Sequence, residues 1–201
     1  MSLTVQTAPN TAPLSTAEAK AHLRVDGSDE DTLIDAYVDA AREYIEARYR
    51  LVLTTGTWDF TPETPDGLER DDFPSGLKDI ECPLHPLQSV ESITYVDTDG
   101  ASQTLSSSNY VVVTGATPGR IRLAYDKCWP DTRKQPNAVV VRAKFGYGDA
   151  ATAVPESILC AVRLIVGHFH EHREQFLVEG MPREIPTADL LLRGKALLEV
   201  A

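Results

Sequence analysis

The feature that most restricts the fold is a change of sequence pattern at two points along the 201 residues. From residue 28 to residue 50, apolar residues recur at helical spacing while acidic residues follow another face. Residues 51–148 are instead rich in Thr, Val, Tyr, Gly and Pro, in short runs typical of strands and turns. A helical pattern returns after Val154. The sequence therefore predicts an α+β fold, in which a helical core of two N-terminal and two C-terminal helices carries an inserted small antiparallel β domain.

Local signals place the boundaries of these segments. Residues 1–14 carry no charged side chain and contain two prolines, which predicts a flexible or extended arm. Ser15 and Glu18 have the spacing of a capping box, and Ser28 is the predicted N-cap of the longer helix that follows. The predicted segments are residues 1–14 (arm), 15–50 (N-terminal helices), 51–148 (inserted β domain) and 154–201 (C-terminal helices).

Six strands are predicted within the inserted segment, from β-branched and aromatic residues between turn residues. They are Thr57–Thr61, Lys78–Cys82, Val90–Val96, Tyr110–Thr114, Arg120–Tyr125 and Ala138–Phe145. The sequence from Asp97 to Gly100 is typical of a hairpin turn and predicts a further polar strand after it. A loop is predicted from Thr64 to Pro74.

Charge and composition restrict the partners of the chain. The formal net charge is -11, which is unfavourable for sequence-independent DNA binding but compatible with DNA passing an acidic surface.

No apolar run approaches the about 18 residues of a membrane span, so we expect no membrane contact. The N-terminus lacks the pattern of a secretory signal, and the three cysteines show no CxxC pairing. We therefore expect a protein made in the cytoplasm with free thiols.

The histidines near residue 170 are the one group that resembles a metal site. His168 and His172 have helical i, i+4 spacing, which suits a tetrahedral metal, and His170 lies between them. However, the HExxH order with its general base is absent, and no later histidine follows. We interpret the group as a solvated helix end and expect neither a metal nor a cofactor. A metal-dependent hydrolase that uses the three histidines is the alternative function.

Other motifs for catalysis are absent from the sequence. There is no GxSxG nucleophile motif, no phosphate-binding GxxxxGK[ST] motif and no GxGxxG motif. Trp58 and Trp129 are interpreted as core or interface residues, with a carbohydrate-binding surface as a weaker alternative. The residues by themselves indicate an α+β protein without a recognisable active site, in which the arm and the amphipathic helices suggest surfaces that need partners.

Several segments of the sequence resemble a family of phage head–tail connector proteins, which also occur in prophages and gene transfer agents. The matching segments are LSTAEAKAHLRV at 14–25, DEDTLI at 29–34, AAREYIE at 40–46, PLHPLQSV at 83–90, ITYVD at 93–97, PGRI at 118–121, FGYG at 145–148, VP at 154–155, GH at 167–168 and EHRE at 171–174. The closing-helix motif of the family often reads GHxYExRE. Here His170 stands at the Tyr position and His172 at a variable one, which weakens the metal interpretation.

The resemblance implies a non-enzymatic protein that forms a dodecameric ring between portal and tail and leaves a channel for DNA. The implied partners are the portal protein, neighbouring copies and the next tail or stopper protein, and the implied place is the neck of a phage or phage-like particle assembled in the bacterial cytoplasm. DNA would pass without sequence-specific binding.

Two sets of residues are predicted to make these contacts. The predicted ring-interface residues are Leu33, Tyr37 and Tyr44, and the predicted portal-docking residues are Leu190, Leu191, Leu197 and Leu198. A glycine and two prolines between Gly180 and Pro186 predict that the docking segment is detached from the preceding helix. We therefore expect a chain truncated at Met181 to stay folded and to lose attachment to the portal.

Overall fold

The computed structural model describes residues 2–62, 79–172 and 186–192. These residues form two compact units, each assembled from separate stretches of the chain. The helical unit takes residues 10–54 and the described residues from 147 onward. The β unit takes residues 2–9 and the described residues between 55 and 146. The chain is therefore an α+β protein, as predicted.

The helices of the helical unit are α1 (Thr16–Leu23), α2 (Asp31–Tyr49), α3 (Glu156–Glu171) and α4 (Pro186–Leu192). The strands of the β unit are β1 (Ser2–Thr7), β2 (Gly56–Thr61), β3 (Ile80–Glu81), β4 (Leu87–Val96), β5 (Ser102–Thr104), β6 (Tyr110–Val113), β7 (Arg120–Leu123) and β8 (Val139–Phe145). The predicted loop from Thr64 to Pro74 and most of the segment between Gly180 and Pro186 lie outside the described residues.

The starts of the first two helices test the predicted caps. At α1 the Ser15 hydroxyl accepts a hydrogen bond from the Glu18 backbone N–H, and the Glu18 carboxylate accepts one from the Ser15 backbone N–H. This capping box is confirmed, and its hydrogen bonds from Ser15 lower the pKa of Glu18. The predicted cap at Ser28 is wrong, because α2 begins after Glu30. Ser28 instead closes a preceding turn, in which its carbonyl accepts from the Asp31 N–H at 3.3 Å.

The core of the helical unit lies where α2 and α3 bury their apolar faces. The α2 residues in it are Ile34, Val38, Ala41, Ile45 and Tyr49, and the α3 residues are Ile158, Leu159, Ala161, Val162, Ile165 and Val166. Leu14, Leu51 and Leu53 add apolar side chains from the flanking segments, and α4 adds Ala188 and Leu192. Apolar burial of about 25 cal/mol per Å² is the main force that holds such helices together.

The β unit contains two antiparallel sheets. The larger has the strand order β1-β2-β8-β4-β5, and the smaller has the order β3-β7-β6. Alternate residues of the central strand β8 are buried, from Val139 to Phe145. Trp58 and Phe60 on β2 lie next to Phe145, with ring centroids 5.9 and 6.4 Å away. One face of the larger sheet is therefore its apolar core.

The opposite face of the larger sheet carries cross-strand ion pairs. Arg142 on β8 donates two hydrogen bonds to Asp59 on β2, at 2.7 and 2.8 Å. Lys144 on β8 lies 2.9 Å from Glu91 on β4. These pairs fix the register of three neighbouring strands, because a one-residue slip would place the charges on the apolar face.

The hairpin turn predicted between Asp97 and Gly100 is present between β4 and β5. The Asp97 carboxylate accepts the backbone N–H groups of Asp99 and Ala101, at 3.1 and 2.8 Å. A hydrogen bond from the Gln103 side chain, together with these, lowers the pKa of Asp97. Gly100 has a φ of +89°, which side chains disfavour and glycine permits.

The predicted arm of residues 1–14 differs from the structure. Ser2–Thr7 form β1, which pairs antiparallel with β2 from Ser2↔Thr61 to Thr7↔Thr57. The prediction gave weight to the missing charge and the prolines, but both prolines follow β1. The sequence of β1 is compatible with a strand, and its pairing partners on β2 are 50 to 59 residues away, where local patterns give no information.

Glu46 on α2 provides a test of burial in the helical unit. One of its carboxylate oxygens accepts the Leu53 backbone N–H at 2.9 Å, and desolvation raises the pKa of the carboxyl group. Because the folded pKa is raised, the stability that Glu46 contributes is present at low pH and is lost as pH rises through that pKa. Glu46→Gln keeps an acceptor for Leu53 but cannot ionise. We expect the variant to gain stability over the wild type as pH rises from about 4 to 7.

The measurement is urea denaturation of both proteins across that pH range. Asp149→Asn is the control, since Asp149 is an exposed carboxylate of the helical unit. Parallel pH profiles for the wild type and the Glu46 variant would contradict the prediction.

Candidate interaction surfaces

The three histidines at the C-terminal end of α3 do not point toward a common site. His168 and His172 lie in edge contact, with ring centroids 4.8 Å apart. His170 is directed elsewhere, with its Nε2 3.2 Å from a carboxylate oxygen of Glu30 at the start of α2. Among residues 2–62, 79–172 and 186–192, no three His, Cys, Asp or Glu side chains are placed to hold a metal. The geometry of the described residues thus gives no support to the metal-dependent hydrolase.

The cysteines and tryptophans also lie in structural positions. Cys82 is buried, and burial raises the pKa of its thiol to about 12, which leaves it protonated at neutral pH. Cys128 and Cys160 are exposed and are not in disulfide bonds. Trp58 and Trp129 are both buried in the β unit, so neither presents a flat ring to solvent for a sugar. In the described part of the chain, no helix is long and apolar enough to cross a membrane.

A line of apolar residues runs along α2 on the side of the helix that faces away from its buried residues. We define the α2 stripe as the residues at spacings of three and four along this line: Leu33, Ala36, Ala40, Tyr44 and Ala47. All except Leu33 are exposed, and the Tyr44 side chain is 41% exposed. The alanines of the stripe were not predicted, although their spacing in the sequence matches that of the two residues that were. Such a line of apolar residues is typical of a helix that packs on two sides.

The three predicted ring-interface residues do not share one environment. Tyr44 is exposed, and Leu33 is half-buried at the N-terminal end of the stripe. Tyr37 packs against the rim of its own core, with its ring centroid 6.1 Å from that of Phe169 on α3. Tyr44 is therefore the member of this set with the most surface left for another molecule.

The predicted portal-docking leucines also differ in how far they are exposed. Leu190 is 70% exposed, whereas Leu191 packs against the core of the helical unit. Leu197 and Leu198 lie outside the described residues. The structure thus leaves Leu190 as the described member of this set with free surface.

Polar contacts hold α4 in place beside α2. Asp189 accepts a hydrogen bond from the Tyr49 hydroxyl and lies 3.3 Å from the Arg48 guanidinium. Together with the buried Ala188 and Leu192, these contacts show that α4 packs on its own unit. The expectation that the segment after Met181 is separable from the core is therefore corrected, because two of its residues fill that core.

The sequence of residues 15–102 matches the family of phage gp6-like head-tail connector proteins. The resemblance to head–tail connectors is confirmed. The matched region includes α1, α2 and the strands β2 to β4, and it ends at the first residue of β5. The sequence has no match among curated proteins.

Three solved structures share the fold over the full length of the chain. The first is described as the neck of a native gene transfer agent particle computed with C12 symmetry, with a TM-score of 0.75 and 20% sequence identity. The second is the neck of an empty particle computed with C6 symmetry, and the third is the virion of the native particle, both with a TM-score of 0.74 and 21% identity. In each case 100% of this chain and 98% of the other chain are covered. At these identities the likeness shows a shared fold.

Proposed function

We propose that this protein is a structural head–tail connector, which forms a ring in the neck of a phage or phage-like particle between portal and tail. The observation that carries the proposal is the family match of residues 15–102. Support comes from the full-length likeness to chains of gene transfer agent particles, one of them a neck computed with C12 symmetry. The protein acts by assembly, as a dodecamer that leaves a central channel for DNA, and it is not an enzyme.

The ring needs a contact that repeats from one copy to the next. A cyclic ring of more than two copies uses a head-to-tail contact, in which a patch on one copy meets a different patch on its neighbour. We assign the α2 stripe to one side of this contact, with Tyr44 and Leu33 as its larger side chains. The exposed tyrosine supports this assignment, since aromatic residues are enriched at interfaces and charged residues are depleted from interface cores.

The remaining proposed partners are the portal and the next tail or stopper protein. The portal meets the C-terminal segment through Leu190, with Leu191, Leu197 and Leu198 as the other proposed docking residues. The next tail or stopper protein meets the β unit, which we propose as a domain inserted between the helical segments 15–50 and 154–201. The net charge of -11 supports a channel that DNA passes without sequence-specific binding, because acidic surfaces repel phosphates.

Complementation of a deletion strain tests this proposal. We expect deletion of the gene to give heads without attached tails and wild-type protein to restore tailed particles with a ring at the neck. Tyr44→Glu should restore few or none, since it places a charge within the α2 stripe without touching the buried core. Electron microscopy of purified particles gives both the count of tailed particles and the ring.

Thr152→Glu is the matched control. Thr152 is an exposed residue of the helical unit that lies outside α2, so its replacement adds the same charge outside the proposed contact. Both variants should have the melting temperature of the wild type. Normal tailed particles from the deletion strain would refute the connector function. Full complementation by the Tyr44 variant would refute only the assignment of the ring contact.

A further inference from the structure

β1 forms an open edge of the larger sheet. It pairs with β2 on one side, and all six of its residues are exposed. In an antiparallel pair, alternate residues direct their N–H and C=O groups away from the partner strand, so the outer side of β1 carries unpaired groups. Proteins protect such edges with charges, prolines or very short strands. Ser2–Thr7 contain no charge and no proline, and only a register shift between Val5 and Thr7 interrupts the pairing.

The same strand carries exposed apolar side chains. Leu3 is 46% exposed and Val5 is 53% exposed. The register places them opposite Phe60 and Trp58, which are both buried. Directly opposed residues lie on the same face of a sheet. Leu3 and Val5 therefore continue the apolar face of the larger sheet beyond its last covered strand.

We propose that β1 is a docking strand, to which an extended segment of a different protein of the particle adds as a further strand. This inference rests on the proposed connector function. Strand addition satisfies the open backbone groups, and side chains at alternate positions give specificity. The occupant is a segment of about six residues in extended conformation. It has apolar side chains on the face that it shares with Leu3 and Val5, and no charge there.

The strands of this chain explain why the occupant is a different protein. Among the described strands, the other sheet edges are β3, with two residues, β5, with three, and β6, with four. None of them matches the six residues of β1. Pairing of β1 with β1 of a second copy is a two-fold contact, which closes a dimer and cannot repeat around a ring. A strand from a neighbouring component of the neck can pair with β1 without forming a two-fold contact between copies of this chain.

Hydrogen exchange of the full chain tests the docking strand. The amides of residues 2–7 are compared between the purified free protein and purified tailed particles. We expect exchange of these amides to slow by about tenfold or more in the particles, because strand addition pairs the outward N–H groups. Val5→Lys should abolish this slowing and reduce the yield of tailed particles, because it adds a charge to the face that the incoming strand covers.

Val111→Lys is the matched control. Val111 is also a valine on an edge strand and is also 53% exposed, but it lies in the smaller sheet. It should leave both the exchange of residues 2–7 and the particle yield unchanged. Equal effects of the two variants would overturn the assignment to β1.

A photoreactive benzophenone residue at position 3 identifies the occupant in the particles. A cross-link to an extended segment of another particle protein supports the proposal. A cross-link to a second copy of this chain, or none, overturns it. If the chain is absent from the necks, the connector function fails. If it is present there but its β1 amides exchange as in the free protein, only the docking strand fails.

Discussion

Replacement of Leu192 by alanine is expected to lower the free energy of unfolding by about 2–5 kcal/mol. The Leu192 side chain is fully buried in the core of the helical unit, where α4 packs against the other helices. The loss combines the transfer of the removed methyl groups to water with the cavity that remains. Urea denaturation of the full chain, followed by circular dichroism at the helical signal, measures this free energy.

Leu190→Ala is the matched control, since it removes the same atoms two residues earlier in the same helix. Leu190 is 70% exposed, and we expect its replacement to change stability by no more than about 0.5 kcal/mol. The pair also separates folding from docking, because a portal-docking role of Leu190 should appear as a loss of tailed particles without a loss of stability. Equal and small effects on stability would show that α4 does not belong to the core in solution.

Phe145→Ala is expected to destabilise the β unit by about 3–5 kcal/mol. Phe145 is fully buried on the central strand β8, opposite Gly56 on β2 and Leu87 on β4. Its ring meets Trp58 edge to face at a centroid distance of 5.9 Å. Such aromatic pairs add about 0.5–1.5 kcal/mol to the effect of burial alone.

Tryptophan fluorescence during urea denaturation reports the loss in the β unit, which contains both Trp58 and Trp129. Agreement with circular dichroism tests for a single transition. Tyr125→Ala is the control for the removal of an aromatic ring, because Tyr125 is 99% exposed. We expect little change from it. A loss below about 1 kcal/mol for the Phe145 variant would contradict the packing that the structure describes.

Sequence patterns predicted the helices and strands whose formation depends on interactions between residues close together in the chain. The capping box at Ser15, the periodicity of α2 and the β-branched runs of the central strands each bring nearby residues into a preferred geometry. The strand β8 was predicted to within one residue at its start, since Ala138–Phe145 became Val139–Phe145. The edge strand β1 was missed, because its pairing with β2 is a long-range contact that two nearby prolines obscured.

The surfaces were harder to predict than the elements. Periodicity identified Tyr37 and Tyr44 as apolar residues of one helix, but only packing shows that Tyr37 meets Phe169 of its own chain while Tyr44 stays exposed. The same limit applies to Leu191 and Leu190 on α4. An amphipathic pattern shows that a face must be covered, and it does not show whether the chain or a partner covers it.

The interleaved connectivity of the two units has a consequence for synthesis on the ribosome. Neither unit is a continuous segment of the chain. Residues 2–9 can pack in the β unit only after residues from 55 onward have been synthesised, and α2 can pack against α3 only after α3 has been synthesised. At about 5–20 residues per second, the buried face of α2 stays without its partner for roughly 5 to 25 seconds. The nascent chain is therefore expected to be a substrate for a ribosome-associated chaperone during this interval. A version with α3 placed directly after α2 would shorten that exposure.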